Sequence, residues 1–150
     1  MPAFVTFGRV LFAVLFMYTG ATKLFAVQQT ADFIATKVPI PAVLAPYASQ
    51  LAPMAGMPMP QILALAVGGF EILAGLMIAG NFGARFFAVL LIIFVLAATF
   101  YFHDFWNQAA PENARTLIDA LKNLSIVGAL FMIVGYGRGP RPNEPSYADM

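Results

Sequence analysis

Cysteine is absent from this 150-residue chain, and charge is scarce. Without a thiol there is no disulfide staple, no thiolate nucleophile and no cysteine-ligated metal or iron–sulfur centre. His103 is the only histidine, so paired histidine ligation of a haem is excluded. Charged residues make up 10% of the chain, against about 25% in ordinary soluble domains. The net charge of +1 is too small to draw nucleic acid as a partner. No glycine-rich phosphate loop, nucleophile triad or zinc motif is present, and no metal or covalent cofactor is expected.

What fills the chain instead is hydrocarbon: 61% of residues are hydrophobic and the mean hydropathy is +0.80. A soluble fold of this length would leave much of that surface in water, whereas a chain dissolved in lipid need not. Charges separate four apolar stretches, at 4–24, 61–80, 86–102 and 123–137, the last with helical pattern reaching back to about Pro111, so that the fourth span is placed at 117–137. At 1.5 Å per residue, about 20 residues cross a hydrocarbon core of about 30 Å. Arg9 and Lys23 lie near the ends of the first stretch, where long cations snorkel to the interface. Small residues follow at Gly20 and Ala21, but the apolar run is long and Lys23 comes straight after it, so this stretch reads as a retained span rather than a cleaved leader. The expected fold is all-α: a four-helix transmembrane bundle in one domain over 1–140, followed by a polar tail at 141–150.

The connection from Phe25 to Pro60 is long, at 36 residues (25 to 60 inclusive), and reads as a cap over one end of the bundle. Within it, TADFIATK suggests a short helix capped by Thr30. Pro39, Pro41, Pro46, Pro53, Pro58 and Pro60 argue against any long one. Met54, Met57 and Met59 offer thioethers that suit Cu(I), but an apolar loop lying on lipid explains the same letters. At the other end, Pro111-Glu112 opens the last helix, with Arg115–Asp119 and Asp119–Lys122 spaced for ion pairs. Gly135, Gly137, Gly139 and Pro140 stop it.

Glu71 stands out because it lies ten positions into the second stretch, about 15 Å deep. A carboxylate there must face the interior of the bundle, paired, protonated or wetted. It either carries protons or grips a ligand, or it forms a structural hydrogen bond or ion pair. Ala64-x-x-x-Gly68 and Gly75-x-x-x-Ala79 flank it, a pattern that lets helices approach closely or leaves a groove for a flat ligand. On the first stretch Arg9, Ala13, Phe16, Gly20 and Lys23 recur at spacings of 4, 3, 4 and 3, which places them on one inward stripe. Lys23, His103, Asp104, Trp106, Lys122 and Asn123 are expected at one end of the bundle. There they form either the head-group site of a quinone or an anion, or an interfacial belt with polar caps.

Four spans return both termini to one side. Basic residues divide evenly, with Arg9, Arg85, Arg138 and Arg141 on the termini side and Lys23, Lys37, Arg115 and Lys122 opposite. The arginines beside the spans lean the termini toward the cytoplasm.

Four blocks in order resemble the DoxX family of small four-helix membrane proteins. They are GRVLFAVLFMYTGATKL, FEILAGLMIAGNFGARFFA, YFHDFW and KNLSIVGALFM. The segment SQLAPMAGMPMP departs from the family pattern and looks inserted. The resemblance puts the family's polar positions at Arg9, Lys23, Glu71, Arg85, His103, Asp104, Trp106, Lys122 and Asn123, with Arg9 and Arg85 as structural charges. Because the wider DoxX and DoxD group is associated with quinone-linked respiratory assemblies, it implies an inner-membrane accessory or anchor subunit of such a complex. Lipid, other membrane subunits and a bound quinone or lipid are the implied company. Two alternatives stand beside it: a small quinone-reactive oxidoreductase subunit using Glu71 and the His103 cluster, and a solute- or lipid-binding protein acting as an oligomer.

Overall fold

A computed structural model of the chain describes residues 3–43 and 45–136. The described residues are helical, without strands. In order they form α1 (Ala3–Phe25), α2 (Val27–Lys37), α3 (Ala45–Ala55), α4 (Met59–Ala79), α5 (Ala84–Phe102), a single 3-10 turn (Phe105–Asn107) and α6 (Glu112–Tyr136). Four of these helices are long and apolar enough to cross a membrane, namely α1, α4, α5 with the turn after it, and α6. In lipid, every backbone N–H and C=O of a span must be satisfied within the segment, and only a helix does that for a single chain segment.

Helix ends follow local chemistry. Pro60 falls in the first turn of α4, where a missing N–H costs nothing. Asn81, at φ 57°, takes the left-handed position that ends α4, and Phe82 N–H closes back onto Met77 O at 2.9 Å. Gly83, at φ 59°, then supplies the second left-handed residue of this tight link into α5. Arg85 therefore lies inside the first turn of α5 rather than in the connection. Pro111 precedes α6 as expected, while Gly137, Gly139, Pro140, Arg138, Arg141 and the polar tail lie outside the described residues.

The long connection departs from the sequence expectation in two places. α2 begins at Val27, not at a Thr30 cap, and Ala26 carries the cap position without a side-chain hydrogen bond. The cause is continuity: Ala26 N–H still bonds Thr22 O of α1, and Thr30 N–H bonds Ala26 O, so Thr30 sits within the helix. α3 runs for 11 residues despite two prolines. Pro46 occupies its first turn, and Pro53 falls near its end, so only the last turn loses a ladder bond.

The described residues divide into two compact units, one of those up to Val14 together with those from Ala74 onward, the other of those within Leu15–Leu73. In the first unit α5 and α6 pack along one another, with Ala88, Leu91, Val95, Val127 and Leu130 buried. In the second, α1 and α4 cross at two glycines. A Cβ placed on Gly20 would lie 2.6 Å from Gly68 O, and one on Gly68 would lie 2.8 Å from a methyl of Leu24. Ala64 is fully buried beside this crossing, so the Ala64-x-x-x-Gly68 pair serves close helix approach. Lipid tails offer no hydrophobic drive for helices to associate, which leaves packing and polar contacts to hold such a crossing together.

Candidate polar sites within the helices

The close approach at Gly20 and Gly68 decides what happens to Glu71, three residues further along α4. Met59 to Glu71 is a rise of about 18 Å, past the middle of a 21-residue helix. There Lys23 Nζ donates to Glu71 Oε2 at 2.7 Å and to Thr19 O at 3.3 Å. The lysine thus folds back down its own helix to reach the carboxylate. The two partners are not equally enclosed. The Glu71 side chain is 5% exposed and that of Lys23 is 29% exposed. Nearer the helix ends, Gln61 donates to Gln28, and Gln28 to Asp32 at 2.8 Å. These groups tie the start of α4 to α2.

The stripe on α1 is inward as its spacing required: Arg9, Ala13, Phe16 and Gly20 are buried, and Lys23 is half-buried. Arg9, in the first unit, borders a cleft of about 360 Å³ between α1 and α6. Val5, Phe12, Met132, Ile133 and Tyr136 supply most of its wall. Arg85, at the start of α5, donates through Nη2 to Gly135 O at 3.2 Å. It thereby caps a carbonyl at the C-terminal end of α6, where the helix dipole favours a cation.

The remaining candidates gather where α5 gives way to α6. Asn123 Nδ2 donates to Thr99 Oγ1 at 2.9 Å, and that hydroxyl donates on to Val95 O at 2.6 Å. Gln108 Nε2 donates to Asp104 Oδ1 at 3.2 Å, and Thr116 donates to Gln108 Oε1. Lys122 Nζ holds Asp119 Oδ1 at 2.8 Å in a largely exposed pair, and His103 also acts electrostatically on Asp119. His103, Asp104, Lys122 and Asn123 therefore belong to one neighbourhood. Trp106 is half exposed there and packs edge-on against Phe105 with ring centroids 5.0 Å apart. Lys23, by contrast, is committed to Glu71.

Three members of this neighbourhood escaped sequence reasoning. Thr99 was hidden inside an apolar run, and Gln108 and Thr116 looked like ordinary loop and helix polarity. A hydroxyl within a span can satisfy itself on its own helix, so nothing in its letter announces a second role toward Asn123. Among the described residues, no group of three or more His, Cys, Asp or Glu is placed to hold a metal ion.

Comparison with known proteins agrees with the helical pattern. The family model described as DoxX matches residues 4–104. The inner membrane protein YphA of Escherichia coli (strain K12) is 24% identical over 138 residues, covering 92% of this chain and 86% of YphA. No solved structure matches.

Proposed function

This chain belongs to the DoxX family, and on that footing we propose that it is an inner-membrane accessory or anchor subunit of a quinone-linked redox complex. One observation carries the reading: several polar groups in and beside the spans are paired with one another, while the spans keep broad apolar faces outward. Glu71 is held by Lys23, Asn123 by Thr99 and Asp104 by Gln108. Phe86, Ile93 and Phe100 on α5, and Leu117, Leu124 and Phe131 on α6, stand exposed. In a bilayer such faces serve lipid or neighbouring helices. The inner-membrane placement is supported by the name of YphA, and the cytoplasmic termini by the arginine asymmetry read from the sequence.

A second reading has its own support. The cleft beside Arg9 combines apolar walls, a buried cation and the phenol of Tyr136 at its edge. That combination suits an amphiphile with a long tail and a polar head, such as a quinone or a lipid. In this reading the chain is a small quinone-reactive subunit whose cleft offers Arg9 and Tyr136 to a head group, with Glu71 and the His103 neighbourhood as separate polar groups that do not line the cleft.

Extraction in a mild detergent followed by affinity purification separates the readings. Co-elution of larger redox subunits is the result expected of an accessory chain. A lone chain carrying stoichiometric quinone would replace that reading with the second. A lone oligomer free of quinone would leave the solute- or lipid-binding alternative.

A further inference from the structure

No charged residue lies between Lys37 and Glu71, although α3 and its flanks fall outside the four spans. We propose that α3 lies in the bilayer interface, with Tyr47, Leu51 and Met54 inserted at the boundary between head groups and acyl chains. The three residues fall within an arc of about 60° at 100° per residue. They are respectively 63%, 47% and 84% exposed. Val43, just before the helix, is exposed as well. Ala48 is buried and Ala52 half-buried on a neighbouring face of the same helix, so the exposed arc points away from the rest of its unit.

Chain connectivity specifies the surroundings of that arc. Three residues, Gly56, Met57 and Pro58, separate Ala55 from Met59, where α4 begins, so the four chain steps reach at most about 14 Å. α3 has 11 residues and, at about 17 Å, is too short to cross a core of about 30 Å. It is therefore tethered at a membrane surface. In water its exposed arc would keep two large aliphatic groups and an aromatic ring hydrated. At the interface the aliphatic groups reach the acyl boundary and the Tyr47 hydroxyl meets the head groups. The polar inventory of α3 suits a partly dry setting: Ser49 Oγ already donates to Pro46 O at 2.8 Å, which leaves Gln50 and the Tyr47 hydroxyl as the side-chain groups needing a wet partner. α2 provides the contrast, since Gln28, Gln29 and Asp32 are exposed along it.

The chemistry of the partner follows from the missing charge. Interfacial helices commonly add lysine or arginine to attract anionic lipid. α3 has neither, so its insertion is apolar and indifferent to lipid head-group charge. The chain's lack of cysteine makes the test direct. A nitroxide is attached to Met54→Cys, Leu51→Cys or Gln29→Cys in the full chain, reconstituted in phosphatidylcholine bilayers. Relaxation by oxygen, which concentrates in lipid, is compared with relaxation by a water-soluble nickel chelate. The expected oxygen-to-nickel ratio at positions 54 and 51 is several-fold above that at position 29, and unchanged when a third of the lipid is phosphatidylglycerol. High nickel accessibility at both 54 and 51 would place the arc in water and overturn the proposal. Low accessibility to both agents would show the arc covered by protein and overturn it equally. Using two positions guards against one substitution that fails to fold.

Discussion

At the scale of single residues, the Lys23–Glu71 pair is the clearest source of consequences. Its members differ in enclosure, so removing one is not equivalent to removing the other. Lys23→Met strands a carboxylate whose side chain is 5% exposed, and the expected destabilisation is about 3–5 kcal/mol, the range for breaking a buried pair. Glu71→Gln leaves an amide that still accepts from Lys23, while the lysine, being partly exposed, retains access to a polar medium. The expected cost is about 1–2 kcal/mol, within the range of hydrogen bonds between membrane helices. Lys23→Met with Glu71→Leu removes both charges and should recover most of the loss. Unfolding of detergent-solubilised protein by a denaturing detergent measures all three. Equal losses for the two single variants would mean that the difference in enclosure carries no energetic weight. Half of this result is legible in the amino-acid sequence. The cost of a bare carboxylate in hydrocarbon required Glu71 to face inward. Which cation becomes its partner depends on which helices approach, and that is not written in either segment.

At the scale of elements, the α1–α4 crossing and the end of α6 each give a test. Gly20→Ala places a methyl against the backbone carbonyl of Gly68, which cannot move without displacing α4. A loss of about 1–3 kcal/mol is expected from such overpacking. Gly69→Ala, one residue along the same helix, meets nothing within 4 Å. It should be neutral or stabilise by up to about 1 kcal/mol through helix propensity. Thermal melts of the two variants side by side distinguish a packing glycine from an incidental one. Arg85→Ala removes the donor to Gly135 O and should cost about 0.3–1 kcal/mol, the usual worth of a cation at a helix C-terminus. Hydrogen exchange in the last turn of α6 should rise, with α5 little affected; unchanged exchange there would deny Arg85 its capping role. The inward stripe of α1 was legible from spacing alone, since burial of Arg9, Ala13, Phe16 and Gly20 follows from helical period. α3 is harder to read, because the effect of a proline depends on its place in the turn, and Pro46 and Pro53 fall near the two ends of the helix.

At the scale of the whole molecule, four membrane-crossing helices require the start of α1 and the end of α6 to share one side. Single cysteines at Ala3 and Tyr136 should react with a membrane-impermeant reagent under the same conditions, and a cysteine at Gln29 under the opposite ones. If Ala3 and Tyr136 reacted from different sides, the even number of crossings would fail. If both reacted in intact cells, the crossings would stand and the proposed cytoplasmic termini would not. The cysteine-free background lets each probe be read alone.

The amino-acid sequence by itself determined that the chain is helical and dissolves in lipid. Transfer of about 20 apolar residues is a local property that sums along a segment, and a helix is the one form that satisfies such a segment's backbone in hydrocarbon. It also marked Glu71, because a charge there is costly whatever surrounds it. The tertiary structure alone decided the pairings: Lys23 with Glu71, Asn123 with Thr99, and Arg85 with the end of α6. Each joins residues at least 24 positions apart, and each depends on how two helices approach. For Lys23 and Glu71, that approach is set by the absence of a side chain at Gly20 and Gly68, a fit between two surfaces that neither segment specifies alone.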